Sequence, residues 1–372
     1  MIYLDNAATS YPKPISVIRD LNFCLKKYCG NPGRSSHKLS VMASEAIYNA
    51  RESLANHLNI STPENVVFTH NATYALNLAT KTFITEKCHI LTSDFEHNSV
   101  IRPLQVLHDK LGIEYSTFST DGNVEKSIRE NIRNDTKGIV TSIASNVTGK
   151  TISLKTLSKI AAEYNLFLII DASQAIGHKK INLAETPCDV LCAPAHKALF
   201  GIQGCGFAVF KNNEKRDSFI EGGSGADSKS RYMPDLLPER YEAGTHSTPA
   251  IVTLGSGLKF ISNVGIDNIE KRLSHLTDAL YDRLQTLKNV KIYGNDSGII
   301  AFNVGNTPSY RIEAELDKNG ICTRGGLHCA PSIHAKLGTL EQGAVRVSLS
   351  YFNCKSELDR LYKIVKNLPS NL

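Results

Sequence analysis

The chain has 372 residues, 41% of them apolar and 21% charged, with a formal net charge of +6 from 42 basic and 36 acidic side chains. That length is ample for a large core and suggests two domains, while the mild, dispersed charge shows no basic cluster interleaved with aromatics, so nucleic acid is not an expected partner. No run reaches about 18 uncharged apolar residues, which argues against a membrane span. The N-terminus, Met1 to Asp5, lacks the basic and apolar regions of a signal peptide, so a cytoplasmic location is the expectation.

The predicted elements begin with a strand and a turn in the first dozen residues, where Pro12 and Pro14 break any helix. Asn31-Pro-Gly-Arg-Ser-Ser36 is a loop of turn formers. Residues 37–58 read as a helix, because Leu39, Ala43, Ala46, Ile47 and Ala50 recur at three and four. Strand signals at 65–68, 89–91, 138–141, 166–170, 190–192 and 206–210 then alternate with helical ones at 73–81 and 153–164, the latter opened by a serine cap. This alternation predicts an α/β domain with a largely parallel sheet. After about residue 250 the pattern changes. One long helical region covers 251–287, strands follow at 290–293, 299–302 and 344–348, and helices at 309–319 and 355–366 suggest a smaller α+β domain.

Nine cysteines, at 24, 29, 88, 188, 192, 205, 322, 329 and 354, form no paired CxxC, so free thiols are expected and no metal site. The chemistry concentrates elsewhere. The apolar run 166–170 ends in Asp171, as a buried parallel strand delivering a carboxylate to the rim of a sheet. About 25 residues later, His196-Lys197 precedes a turn containing Gly201 and Gly204. An Asp to hold a pyridine nitrogen protonated and a lysine to form a Schiff base are what pyridoxal phosphate needs. An aspartate capping the next helix is an equally good reading of Asp171 alone.

Other residues suit the same cofactor. Ala72 and Thr73 follow a strand and open a helix, where backbone N–H groups and a hydroxyl can bind phosphate; an ordinary capped helix is the plainer reading. His97 sits on a strand-to-loop transition and could stack on a planar ring, although a loop histidine is more often structural. Ser145-Asn146 forms a polar turn. The glycines at 325 and 326, ahead of Cys329, suggest a mobile loop, and Arg324 or His328 could lower its thiol pKa. Arg346, in an alternating strand, can clamp a carboxylate through two parallel bonds, unless it simply faces solvent.

Seven motifs occur in order: Tyr3-Leu-Asp-Asn-Ala-Ala-Thr9, Asn31-Pro-Gly-Arg-Ser-Ser-His37, Glu96-His97, Asp171-Ala-Ser-Gln174, His196-Lys197, Tyr241-Glu-Ala-Gly-Thr245 and Arg324 with His328-Cys329. Together they resemble the cysteine desulfurases of the class V aminotransferase group, closest to the SUF-type, NifS-like branch, over about residues 2–353. The resemblance implies an α/β fold, the fold-type I pyridoxal phosphate-dependent transferase. It has a mainly parallel seven-stranded sheet in a large domain, with a smaller α+β domain. The division it implies is 1–14 as an N-terminal segment packing on the small domain, 15–255 as the cofactor domain and 256–372 as the small domain with the cysteine loop.

It also implies roles. Lys197 would be the Schiff-base lysine and proton carrier, Asp171 the partner of the pyridine nitrogen, His97 the stacking ring and Gln174 a donor to the ring hydroxyl oxygen. Asn146 would lie beside cofactor or substrate. Ala72, Thr73, Ser173 and His196 would hold the phosphate, with Thr245 reaching the phosphate of a second subunit in a homodimer. Arg346, assisted by Arg324, would bind the substrate carboxylate. Cys329 would attack the substrate sulfur as a thiolate.

The implied reaction converts L-cysteine to L-alanine and passes sulfur through a persulfide to a SUF-type acceptor or an iron–sulfur scaffold. A selenocysteine lyase, another pyridoxal phosphate reaction such as β-elimination or transamination, and a non-enzymatic sulfur-relay partner are the alternatives. Two departures stand out. Pro194 occupies a position where the family carries a hydroxyl, and Leu327 replaces the first histidine of a His-His-Cys run.

Overall fold

The computed structural model describes residues 1–33, 35–226 and 228–368; Arg34, within the second motif, lies outside them. In chain order, β1 (Ile2–Tyr3) and helices α1 (Ile15–Lys27) and α2 (Lys38–Leu58) precede a single 3-10 turn. The alternating region follows as β2 (Val66–Thr69), α3 (Ala72–Phe83), β3 (His89–Ser93), α4 (Asn98–Leu111), β4 (Glu114–Phe118), α5 (Val124–Asn131), β5 (Thr136–Ser142), α6 (Leu154–Glu163), β6 (Phe167–Asp171), β7 (Val190–Pro194) and β8 (Gly206–Phe210). The last third holds α7 (Thr248–Val264), α8 (Ile266–Leu284), β9 (Val290–Asp296), β10 (Ile299–Val304), α9 (Ser309–Lys318), β11 (Ile321–Cys322), β12 (Arg324–Gly326), α10 (Pro331–Leu337), β13 (Ala344–Ser348) and α11 (Lys355–Lys366).

Seven strands form the central sheet in the order β2-β8-β7-β6-β5-β3-β4. All pairs are parallel except the two made by β8. Its inner strands are apolar on both faces, as a sheet covered by helices requires. Leu168 and Ile170 of β6 pack into one core layer, and Ile169 between them packs into the other. A four-stranded antiparallel sheet, β12-β13-β10-β9, carries the C-terminal third, and β1 pairs with β11. This is the expected α/β arrangement with a smaller mixed unit.

The long helical region at 251–287 is two helices. Gly265, at φ 87°, ends α7 and starts α8, and the two axes meet at 81°. Continuous α7 passes through residue 255, the expected division. Among the described residues no single helix is long and apolar enough to cross a membrane. The glycines at 325 and 326, expected in a mobile loop, instead belong to β12, paired in register with Val345 and Ala344. Gly325 lies against helix α9, where a Cβ would come within 2.8 Å of the Ser309 carbonyl, so the position requires glycine for close packing rather than for mobility.

Candidate active site

In an open parallel sheet, ligands bind in the crevice outside the carboxyl ends of the strands. Here β5 ends in Ser142, β6 in Asp171 and β7 in Pro194. Registered pairing sets Ser142 beside Asp171 and Asp171 beside Cys192. The chain then turns sharply: Ala195 N–H donates to Cys205 O, Phe200 N–H to Lys197 O and Gly201 N–H to Ala195 O. That turn brings Lys197 over the ends of the same strands. Asp171, Lys197, His97, Asn146, Ser173, Gln174, His196, Ala72 and Thr73 all line one cleft of about 550 Å³, counting its open mouth.

Asp171 is 6% exposed and accepts one bond, from Ser173 N–H at 2.9 Å; it forms no ion pair among the described residues. An unpaired buried carboxylate is costly. Lys197 carries the complementary imbalance. Burial lowers its pKa to about 8, against the pull of Asp171, and Arg346 and Arg324 lower it further. At the other end of the cleft, α3 begins with Asn71 as its cap, accepting from Tyr74 N–H at 2.9 Å. The first helical bond there is Ala75 N–H to Asn71 O, so the N–H groups of Ala72 and Thr73 precede the helical ladder. Thr73 Oγ1 and Ser99 Oγ meet at 2.8 Å. His196 Nδ1 is buried without a partner among the described residues, and burial, with Lys197 and Lys13, pushes its pKa down to about 4.

These residues fit pyridoxal phosphate. The unpaired Asp171 suits a cationic ring nitrogen, Lys197 suits a Schiff base, and the helix start with the orphaned His196 Nδ1 suits a phosphate. His97 combines two roles. Its Nδ1 accepts from Ser99 N–H at 3.0 Å, capping α4, which leaves Nε2 as the protonated nitrogen. Burial lowers its pKa; Asp171 opposes this, while Lys197, Arg324 and Arg346 add to it. Gln174 Nε2 donates to Ala7 O at 3.1 Å, which uses one of its two hydrogens.

The C-terminal unit is bonded to the residues around the cleft. Arg346, 1% exposed, donates from Nη1 to Asn146 O at 3.0 Å and from Nη2 to Asp5 at 2.7 Å, while its Nε is buried and unpartnered. It is therefore no surface arginine. Asn146 in turn donates to His328 O at 2.7 Å, and Asn98 N–H donates to Cys329 O at 2.7 Å. The cysteine segment is thus tied to the turn after β5 and to the start of α4 beside His97. Cys329 is exposed, and it and His328 adopt left-handed φ of 57° and 52°. His328 is 3% exposed and its pKa falls to about 2 through burial and Arg346, so it is uncharged and not the cation expected beside the thiol. Arg324 lies outside the cleft lining and acts on it through charge. Thr245 lines a different cavity, with Arg51 and Glu242, and is not among the residues that line the cleft with Lys197.

Sequence reasoning gave no role to Glu96. It is fully buried, accepts from Ser142 N–H and Oγ and from Thr141 Oγ1, and also meets Ser93 Oγ, so it ties β5 to the segment that carries His97. Its position directly before His97 in the motif was the available signal.

The fold and cleft together define a fold-type I α/β enzyme whose cleft residues fit pyridoxal phosphate. The chain belongs to the family described as Aminotransferase class-V, whose sequence profile matches residues 2–361. A protein of Halalkalibacterium halodurans named probable cysteine desulfurase is 30% identical over 376 residues, covering 98% of this chain and 92% of that one. Another so named, from Borreliella burgdorferi, is 31% identical over 99% of this chain and 92% of its own. The apo structure of a cysteine desulfurase from Thermococcus onnurineus superposes with a TM-score of 0.91 at 28% identity, covering 98% of this chain and 94% of that one.

Proposed function

We propose that this chain is a pyridoxal phosphate-dependent L-cysteine desulfurase. The observation that carries the reading is that Asp171, without an ion pair among the described residues, and Lys197, its pKa lowered to about 8, face one cleft, while the exposed Cys329 is tethered to Asn98 beside His97 and its neighbour His328 to the cleft residue Asn146. Asp171 would hold the ring nitrogen, His97 the ring face, and Ala72, Thr73, Ser173 and His196 the phosphate. Bound there, pyridoxal phosphate supplies an electron sink for the substrate Cα–H bond.

The chain's own residues do the rest. Arg346, its Nε unpartnered, orients the substrate carboxylate against the Asn146 wall. Lys197 Nζ, with a pKa of about 8, can lose its proton near neutral pH and carry one to and from substrate Cα. Cys329 Sγ, as the thiolate, attacks the substrate sulfur. The balance is L-cysteine plus Cys329 thiol giving L-alanine plus Cys329 persulfide. The Cβ–S bond breaks, an S–S bond forms, the sulfur is oxidised and Cβ is reduced and protonated. The exposed persulfide then passes its outer sulfur to an acceptor protein, of the iron–sulfur scaffold or SUF type.

Thr245, which lines a different cavity of its own chain, would complete the phosphate site of a second copy in a homodimer. Incubation of the cofactor-loaded protein with L-cysteine and a thiol reductant tests the reading. Alanine and sulfide in equal amounts are expected, and none from Lys197→Ala. Pyruvate and ammonia in their place would make the protein a β-lyase.

A further inference from the structure

Four donors from the N-terminal segment converge on one oxygen. The His196 carbonyl accepts from Thr9 Oγ1 at 3.0 Å, Ser10 N–H at 3.0 Å, Ser10 Oγ at 3.2 Å and Lys13 Nζ at 2.9 Å. A carbonyl oxygen has two lone pairs, so the donors outnumber what it can accept. Lys13 has one other partner among the described residues, Ser10 Oγ at 2.8 Å, and no carboxylate within ion-pair distance. A half-buried ammonium in that position lacks a counter-charge. Burial lowers its pKa to about 8, and it contributes to keeping the His196 ring neutral.

The cleft has the opposite deficit. A phosphomonoester carries roughly 1.5 to 2 negative charges, and a helix N-terminus offers about half a positive one. Among the described residues no arginine lines the cleft, Arg346 and Arg324 acting on Lys197 from outside it, and its one lysine is Lys197, which the proposed function assigns to the ring rather than the phosphate. Pro194, which also lines it, brings neither an N–H nor a hydroxyl. His196 joins the two deficits: its ring faces the phosphate end and its carbonyl is held by Lys13.

We propose that Lys13 is a positioning residue for the cofactor phosphate, fixing the His196 main chain and supplying through it the positive charge that the cleft lining lacks. Resting on the assignment of pyridoxal phosphate to this cleft, the proposal gives the Thr9–Lys13 segment a role in cofactor retention. Thr9 and Ser10 orient the His196 peptide, a neutral His196 presents Nδ1–H to the phosphate, and the Lys13 charge favours the anion without contact.

The test compares pyridoxal 5′-phosphate with pyridoxal, which lacks only the phosphate. Each is titrated by absorbance into cofactor-free wild type, Lys13→Met, Lys13→Gln and Lys13→Arg, with a thermal melt of every apoprotein. The expected result is a loss of about tenfold in affinity for pyridoxal 5′-phosphate in the neutral variants, equivalent to about 1.4 kcal/mol. Binding of pyridoxal should change by less than about twofold, and Lys13→Arg should recover most of the loss. Equal weakening of both ligands, or none in a neutral variant that melts like wild type, would overturn the proposal. The Gln variant serves the same comparison if the Met variant does not fold. A wild type that binds the two ligands equally would overturn the cofactor assignment itself, whatever the variants do.

Discussion

Asp171 and Lys197 face one cleft as an unpaired anion and a destabilised cation, which is the arrangement expected where a bound group completes the electrostatics. The ordinary lysine pKa is about 10.4, and that of Lys197 is about 8. Acylation of Lys197 in cofactor-free protein, followed by peptide mass spectrometry against pH, should therefore reach half its maximum near pH 8. Because Asp171 raises this pKa, Asp171→Asn should move the midpoint lower still. A midpoint near the ordinary value would contradict the burial argument. The shift also has a stability consequence. Between about pH 8 and about 10.4 the unfolded chain binds a proton that the folded chain has released, so this lysine makes the apoprotein more stable as pH rises through that window.

Arg346 makes a second residue-scale case. Arg346→Met leaves Asp5 facing an apolar side chain and should cost about 3 kcal/mol in denaturant unfolding. Arg346→Lys keeps the charge but loses the fork. It should raise KM for L-cysteine about tenfold with a smaller effect on kcat, measured by initial rates. The site was legible where a strand delivered a residue: Asp171 closes the clearest apolar run, and His196-Lys197 follows the next strand. The Asn146 to His328 and Asn98 to Cys329 bonds were not legible, because partners 182 residues apart in the first case leave no local pattern.

At the scale of elements, the phosphate end depends on how β8 meets the start of α3. A Cβ on Gly206 would come within 2.7 Å of Ala72 N, a backbone atom that cannot swing aside. Gly206→Ala should therefore displace the Asn71–Ala72 cap, destabilise the protein by about 1–3 kcal/mol in thermal or denaturant unfolding and weaken cofactor binding. Unchanged affinity would show that the helix start takes no part. Strands 206–210 and 344–348 and helix 355–366 agree with their sequence signals to the residue, because period and composition point the same way. The elements that escaped notice carry conflicting signals. Pro14 marks the start of α1 rather than a break, and Pro103 sits inside α4. The short β12 is built from Arg324 and two glycines, whose strand state comes from pairing with β13 and packing on α9.

For the whole molecule, hydrogen bonds join three parts of the chain around the cleft. The large sheet lines it with Asp171 and the His196-Lys197 turn, Ala7 of the N-terminal segment accepts from Gln174, and Arg346 of the C-terminal unit donates to Asp5 and to the Asn146 carbonyl. Lys336 of α10 adds a clamp across the junction, pairing with Asp94 and Asp121 at 2.6 Å each. The proposed second copy concerns Thr245, which lines a cavity other than the one that holds Lys197. Sedimentation velocity should give a dimer, and Thr245→Val should weaken cofactor binding without changing the fold; a monomer that binds cofactor fully would remove Thr245 from the site.

In the proposed reaction, sulfur from L-cysteine moves to Cys329. The most direct measurement is mass spectrometry of the alkylated protein after brief incubation with L-cysteine, with alanine assayed in the same sample. One added sulfur on the Cys329 peptide and a matching amount of alanine are expected. Alanine formed with no sulfur on that peptide, or formed with sulfur transferred equally well by Cys329→Ala, would contradict it.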